Sequence, residues 1–272
     1  MIGNILKMKA QLRTPVEYQL PVDDTLLELN PHIGGGIRLD YQGEINCISC
    51  GRKTSKSYAQ GHCYPCFISL AECDMCIVRP ETCHFDAGTC REPEWAMQHC
   101  MQPHYVYLAN SSGIKVGITR GSQIPTRWID QGAAQALPVF RVASRYQSGL
   151  LEVILKAHVS DRTDWRKMLK GDAEPLDLIT LRDELVDACH DQIAELEQRF
   201  GAENIAFLPD EAVVDIAYPV QRYPEKIKSL NLDKTPTIEA ELLGIKGQYL
   251  ILDSGVINMR KYSGYKLDVD LI

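Results

Sequence analysis

Nine of the ten cysteines of this 272-residue chain lie between Cys47 and Cys100. A segment that short, rich in turn residues, cannot bury enough apolar surface to fold unaided and needs cross-links or metal. Its first four cysteines form two CxxC pairs, Cys47-Ile48-Ser49-Cys50 and Cys63-Tyr64-Pro65-Cys66, with twelve residues between them. Two such knuckles can bring four thiolates onto one tetrahedral zinc ion. Gly51, directly after the first pair, suits a backbone that must turn its amides toward sulfur. A redox CxxC would normally sit in a βαβ unit, and this stretch has no room for one. Four thiolates leave no open coordination position, so the zinc is read as structural.

A second cluster follows in Cys73, Cys76, Cys83 and Cys90. It is read as a further four-cysteine zinc site, making two zinc ions in all. His84, His99 or Cys100 can replace one member, and an iron–sulfur cluster is the alternative occupant of four thiolates. Cys189 differs in kind. It lies on the stripe Leu178, Leu181, Leu185, Cys189, Ile193, Leu196, Phe200 of a helix expected over 177–200, which makes it a core residue.

The opening residues, Met1 to Lys9, hold no apolar signal region and no small-residue cleavage site, which points to the cytoplasm, where thiols stay reduced. No window reaches 18 uninterrupted apolar residues, so no membrane partner is expected. The net charge of −7 averages unlike parts. Residues 101–170 carry 10 Lys+Arg against 4 Asp+Glu, a net of +6, between blocks of −3 and −10. A basic segment between acidic flanks keeps a nucleic-acid partner, DNA or RNA, in view.

That basic segment opens with a β-hairpin. Tyr105 to Ala109 and Ile114 to Thr119 are strand-like, and Asn110-Ser111-Ser112-Gly113 is turn chemistry between them. A short helix is expected over 126–131. A third strand follows over 137–143, with Pro138 marking an edge position. Leu150, Leu151, Ile154, Leu155 and His158 then share one helical face.

These residues resemble the GIY-YIG nuclease domain, in the branch whose second triplet has Lys for Tyr. Tyr105-Val106-Tyr107 stands in place of the first triplet and Lys115-Val116-Gly117 in place of the second. Arg127 follows at the distance of the family's catalytic arginine, and Glu152 matches its metal-holding glutamate. The run from Glu152 to His158 and Asp164-Trp165 also resembles that branch. Gln131 stands where many members carry a histidine. The whole chain, zinc knuckles included, also resembles an uncharacterised bacterial family built from these parts. The resemblance implies phosphodiester hydrolysis with Tyr107 as base or water-positioner, Arg127 as phosphate clamp and Glu152 holding Mg²⁺ or Mn²⁺. Lys115 and Arg120 would add positive charge toward the backbone of the nucleic acid.

The remaining segments read as β-rich flanks. Residues 237–259 alternate short strands with Gly turns, and the first 45 residues are strand-like too. The two ends are expected to pair, in one small barrel. The fold class is therefore α+β: a β segment (1–45), a zinc-binding segment (46–103), a GIY-YIG-like domain with a three-stranded antiparallel sheet (104–170), a helical linker (171–230) and a β-meander (231–272). A metal-dependent nuclease is the leading reading. A nucleic-acid-binding protein without catalysis and a zinc-stabilised protein-interaction scaffold are the alternatives.

Overall fold

The computed structural model describes residues 1–159, 164–171 and 173–272. It is mixed α+β, with its strands in separate sheets. Among the described residues no helix is long and apolar enough to cross a membrane.

The two ends of the chain do share a sheet. Strand β1 (Ile2–Asn4) pairs with β15 (Tyr265–Leu271), which pairs with β5 (Gly36–Asn46). The other edge of β5 takes β12 (Thr237–Lys246), and β13 (Tyr249–Leu252) and β14 (Gly255–Asn258) continue the path. The short β6 (Lys53–Thr54) folds back on the end of β5. Gly247 sits at φ +62° in the tight turn between β12 and β13, a conformation that costs any other residue. Strands β2 (Lys9–Gln11), β3 (Glu17–Val22) and β4 (Thr25–Glu28) make a small separate sheet.

The expected barrel does not close, because both edges of the long sheet are occupied by other segments. Beside β1, the Leu6 amide donates to the Pro21 carbonyl (3.2 Å) and the Asp23 amide to the Asn4 carbonyl (2.9 Å). Along β14, the Leu230 amide donates to the Val256 carbonyl and the Val256 amide to the Lys228 carbonyl, both at 2.8 Å. Part of each edge is thereby taken up by a segment outside the sheet, where closure would need the two edges to meet.

The middle sheet runs β10–β9–β7–β8, with β7 (His104–Asn110), β8 (Ile114–Arg120), β9 (Gln135–Val142), β10 (Ile205–Phe207) and β11 (Val214–Asp215), the last pairing with β9. Its period-two alternation feeds two cores. Val106 and Leu108 face Leu151 and Leu155 of helix α5, defined below, together with Leu185, Cys189 and Ile193. Tyr107 and Ala109 face the opposite way, into a core shared with Trp128, Ile129, Ile245 and Leu250. A sheet buried on both faces explains why β7 reads as a nearly continuous apolar run.

Strand β9 is interior, contrary to the edge position expected from Pro138. The register against β7 shifts between Val106 and Tyr107, so Tyr107 opposes Pro138 while Val106 opposes Phe140. On the other side β10 covers Phe140 to Val142 and β11 covers Gln135 and Ala136, leaving Pro138 between them. A bulge and a gap between two short partners let a residue without an N–H sit inside a sheet.

The helices follow in chain order: α1 (Tyr64–Ser69), α2 (Met75–Val78), α3 (Pro93–His99), α4 (Thr126–Asp130), α5 (Arg145–Lys156), α6 (Trp165–Met168), α7 (Leu178–Ala188) and α8 (His190–Phe200). Helix α5 starts at a capping box in which Ser144 and Gln147 satisfy each other's amides. The helix expected over 177–200 is broken at Cys189, whose backbone leaves the helical region at φ −108°, ψ 11°. Its side chain is fully buried, as the apolar stripe required.

Candidate functional site

The two CxxC pairs meet. Cys47 lies just past β5 and Cys50 in the turn beyond it, while Cys63 caps α1 and Cys66 is in its first turn. The four sulfurs lie within 4.8 Å of one another, with Cys50 and Cys63 3.7 Å apart. Zinc–sulfur bonds of about 2.3 Å in a tetrahedron put sulfurs about 3.8 Å apart, so the four can hold a zinc ion without rearrangement. Gly51 takes φ +71° and its amide donates to the Cys47 carbonyl at 2.9 Å, closing the knuckle turn. Burial raises the Cys47 thiol pKa, but the amides of Cys50, Cys63 and Ser49 outweigh it and bring the value down to about 6. Cys66 is pushed up to about 12 by burial and by the neighbouring thiols. Four crowded thiols cannot all ionise unaided, and a divalent ion removes that conflict.

The second cysteine set assembles differently from its reading in the sequence. Cys76, Cys83 and Cys90 line one cavity, and the fourth cysteine on its wall is Cys100, at the end of α3. Cys73 is not on that wall. Its charged neighbours are Glu72, Arg91, Glu92 and, across the segment, Cys47. His84 also borders the cavity, whereas His99 stacks on Trp95 at 4.1 Å and bonds the Trp95 carbonyl with Nδ1 at 2.8 Å. Asp74, Cys76 and His84 bring one ligand atom each to within 4.8 Å of one another, but Asp74 Oδ2 already accepts from Arg91 Nε at 2.7 Å.

Farther along the chain, the Tyr107 phenol feels the charges of both Arg127 and Glu152. Tyr107 is fully buried, its ring lies edge-on to Trp128 at 5.9 Å, and its hydroxyl donates to Gln131 Oε1 at 3.0 Å. Gly117, paired with Tyr107 across the hairpin, leaves room for that ring. Burial is the main cause that pushes the phenol up to about 12; Arg127 and the Gln131 bond pull the other way, and Glu152 adds to the rise. Glu152 is 14 % exposed on α5, one turn from the Lys156 ammonium at 3.7 Å. Lys115 shares the face of Gly117 two residues away and is buried, 5 % exposed. Arg120 lies elsewhere, with Tyr105 and Arg141 on an open polar groove of about 350 Å³.

Two further arginines feel the charge of Arg127. Arg145, the first residue of α5, feels the charges of Cys100, Arg127 and Glu152, and burial lowers its pKa. Arg260, from the turn between β14 and β15, is lowered by burial and by Arg127, while Asp130 opposes the fall. Asp130 itself is 4 % exposed and takes Lys7 Nζ and Gln248 Nε2, each at 2.8 Å. Arg127 thus shares its field with Tyr107, Arg145 and Arg260, with Glu152 near Tyr107 and Arg145 and Asp130 near Arg260; guanidiniums so placed suit an anion with several oxygens. No sequence motif announces Arg260, because it arrives from a strand turn over a hundred residues away. The N-cap Ser144 marks where α5 begins but says nothing about what Arg145 faces.

The fold is mixed α+β, and it brings four cysteines close enough together that they could hold a zinc ion. The chain belongs to the family described as "Protein of unknown function (DUF2797)", whose model matches residues 34–267. No curated protein and no solved structure matches it.

Proposed function

We propose that this protein is a zinc-containing, GIY-YIG-like nuclease that hydrolyses phosphodiester bonds of DNA or RNA. The observation that carries the reading is Arg127, which acts on the Tyr107 phenol beside Glu152 and shares its field with Arg145 and Arg260. Phosphoryl transfer needs positive charge placed where the phosphorane develops, and preorganised guanidiniums supply it at low reorganisation cost. With its pKa raised to about 12, the Tyr107 phenol is protonated at neutral pH, so it donates a hydrogen bond and positions an oxygen rather than removing a proton. Gln131 holds that hydroxyl in place. A single carboxylate suits Mg²⁺ or Mn²⁺, which are held by one or two carboxylates together with substrate phosphates; Glu152 would be that ligand, and the ion would neutralise charge on the leaving oxygen. The zinc centre takes no part in the chemistry, since its four thiolates close it.

The experiment is cleavage of labelled DNA and RNA with added Mg²⁺ or Mn²⁺, beside Glu152→Ala and Arg260→Ala. Cleavage lost in Glu152→Ala while its melting curve is unchanged supports the reading; equal cleavage by that variant refutes it. A second reading, nucleic-acid binding without hydrolysis, is favoured by the complete burial of Tyr107 and by the open groove of Tyr105, Arg120 and Arg141. Binding that weakens steeply with salt, with no cleavage under any divalent ion, would establish it instead.

A further inference from the structure

We propose that the groove of Tyr105, Arg120 and Arg141 receives one nucleotide of an unpaired strand of DNA or RNA, its phosphate on the two guanidiniums and its base on the tyrosine ring. The inference rests on the nucleic-acid reading above and adds the form of the strand and where it lies. Tyr105 and Arg141 stand opposite each other in the β7–β9 register, so their side chains share one face of the middle sheet. The β7–β8 register runs without a break from Tyr105 to Tyr107, and alternation puts Tyr107 on that same face. Arg120 ends β8, and Ser122 lies in the turn beyond it. Gln98 of α3 and Gln102 of the loop after it complete the wall.

This lining holds two cations and no carboxylate. Among the described residues, neither guanidinium has a hydrogen bond, an ion pair or a ring to rest on, and the Tyr105 ring and hydroxyl have no partner either. Arg91, Arg145 and Arg182, by contrast, are committed to protein oxygens at 2.7, 2.5 and 2.8 Å. Two free guanidiniums side by side repel each other, and a phosphate between them removes the conflict while meeting their fork of donors. At about 350 Å³ the groove is at the small end of ligand sites, a fit for one nucleotide unit. A duplex keeps its base faces stacked on one another, so the Tyr105 ring is of use only to an unpaired base. The rim is also fixed in advance. The Gly121 amide donates to the Pro103 carbonyl at 3.2 Å, and Gln102 Nε2 donates to the Met97 carbonyl at 2.9 Å. A Cβ at Gly121 would lie 3.1 Å from Tyr105 Cε2, so the bare glycine lets the ring lie against the turn. A strand crossing this groove continues along β7 toward Tyr107.

The test is fluorescence anisotropy of the full, zinc-loaded chain with labelled oligothymidylate, oligouridylate and a blunt DNA duplex of the same length. No Mg²⁺ or Mn²⁺ is added, so binding is read without cleavage. At least one of the two single strands should bind about ten-fold or more tightly than the duplex. Arg120→Ala and Arg141→Ala should each weaken that binding and flatten the slope of log affinity against log salt by about 0.7, the share of one phosphate. Tyr105→Ala should weaken it about ten-fold at unchanged slope, and Tyr105→Phe should bind like the parent protein. A duplex bound as tightly as either single strand would overturn the proposal. So would Arg141→Ala with the parent's affinity and salt slope. The parent's preference for a single strand and the exposed Arg141 position decide the matter even where Tyr105→Ala does not fold. Cleavage that survives in Glu152→Ala removes the nuclease reading and leaves this groove standing, whereas failure to bind any of the three probes removes the groove.

Discussion

Gly117→Ala tests the geometry at the centre of the candidate site. Gly117 is buried in β8 with an ordinary strand backbone, so alanine carries no conformational penalty there and the whole effect comes from the added methyl. That methyl would lie 2.5 Å from Tyr107 Cζ, 2.6 Å from its hydroxyl oxygen and 2.9 Å from Cε2. The ring cannot easily withdraw, because it is fully buried, edge-on to Trp128 and tied to Gln131. Overpacking of this kind costs about 1–3 kcal/mol. A displaced ring also loses the Gln131 bond, about 1 kcal/mol more. In a chain of this size each kcal/mol lowers Tm by about 2–4 °C, so a fall of several degrees is expected in a circular-dichroism melt with zinc held in excess. The clash needs the far end of the tyrosine. In a Tyr107→Leu background the same alanine should therefore cost almost nothing, giving a coupling of about 1–3 kcal/mol in the double-mutant cycle. If Gly117→Ala melts with the parent protein, or if the two substitutions are additive, Tyr107 does not lie over Gly117 as described.

Other expectations follow from neighbouring features. Gly149→Ala should lower Tm and expose residues 71–100 to limited proteolysis, because the new methyl meets the backbone of Glu81 rather than a side chain that can swing away. Chelation of zinc should disorder residues 47–66 before the sheets melt. Zinc affinity should also fall as pH falls, since the Cys66 thiol, pushed up to about 12, must give up a proton to bind; titration with a zinc indicator at several pH values reads this directly. Tyr107, raised to about 12 in the folded chain against about 10 unfolded, contributes stability that is intact below pH 10 and lost as pH climbs through 12. Urea unfolding across that window should show a shallower alkaline loss in Tyr107→Phe, by one proton's worth of slope.

Features encoded over short distances were legible in the sequence. The CxxC pairs, the β7–β8 hairpin and the burial of Cys189 rest on spacing and alternation within a few turns of chain, and the structure carries all three. Pairing of the two chain ends also followed from strand-like segments that lacked partners nearby. What escaped depends on distant neighbours. That Cys100, and not Cys73, shares a cavity wall with Cys76, Cys83 and Cys90 depends on where α3 ends, which cysteine spacing does not contain. Pro138 looked like an edge residue because the bulge opposite Tyr107 and the split between β10 and β11 are properties of three strands together. The break at Cys189 interrupts a stripe whose apolar positions would have suited one unbroken helix.

The interlocked ends of the long sheet also order events during synthesis. Strand β5 is made early, yet both of its long partners, β12 and β15, lie near the other end of the chain. Pairings that distant are slow to form, and until β12 emerges from the ribosome β5 has no neighbour to bond but β6. The zinc knuckles span only Cys47 to Cys66 and can close as soon as they leave the exit tunnel. A nascent chain would thus hold its metal centre as a finished unit while the strand leading into it waits. Without zinc, the nascent chain would expose the β5 edge and its thiols together, a species prone to aggregation or oxidation.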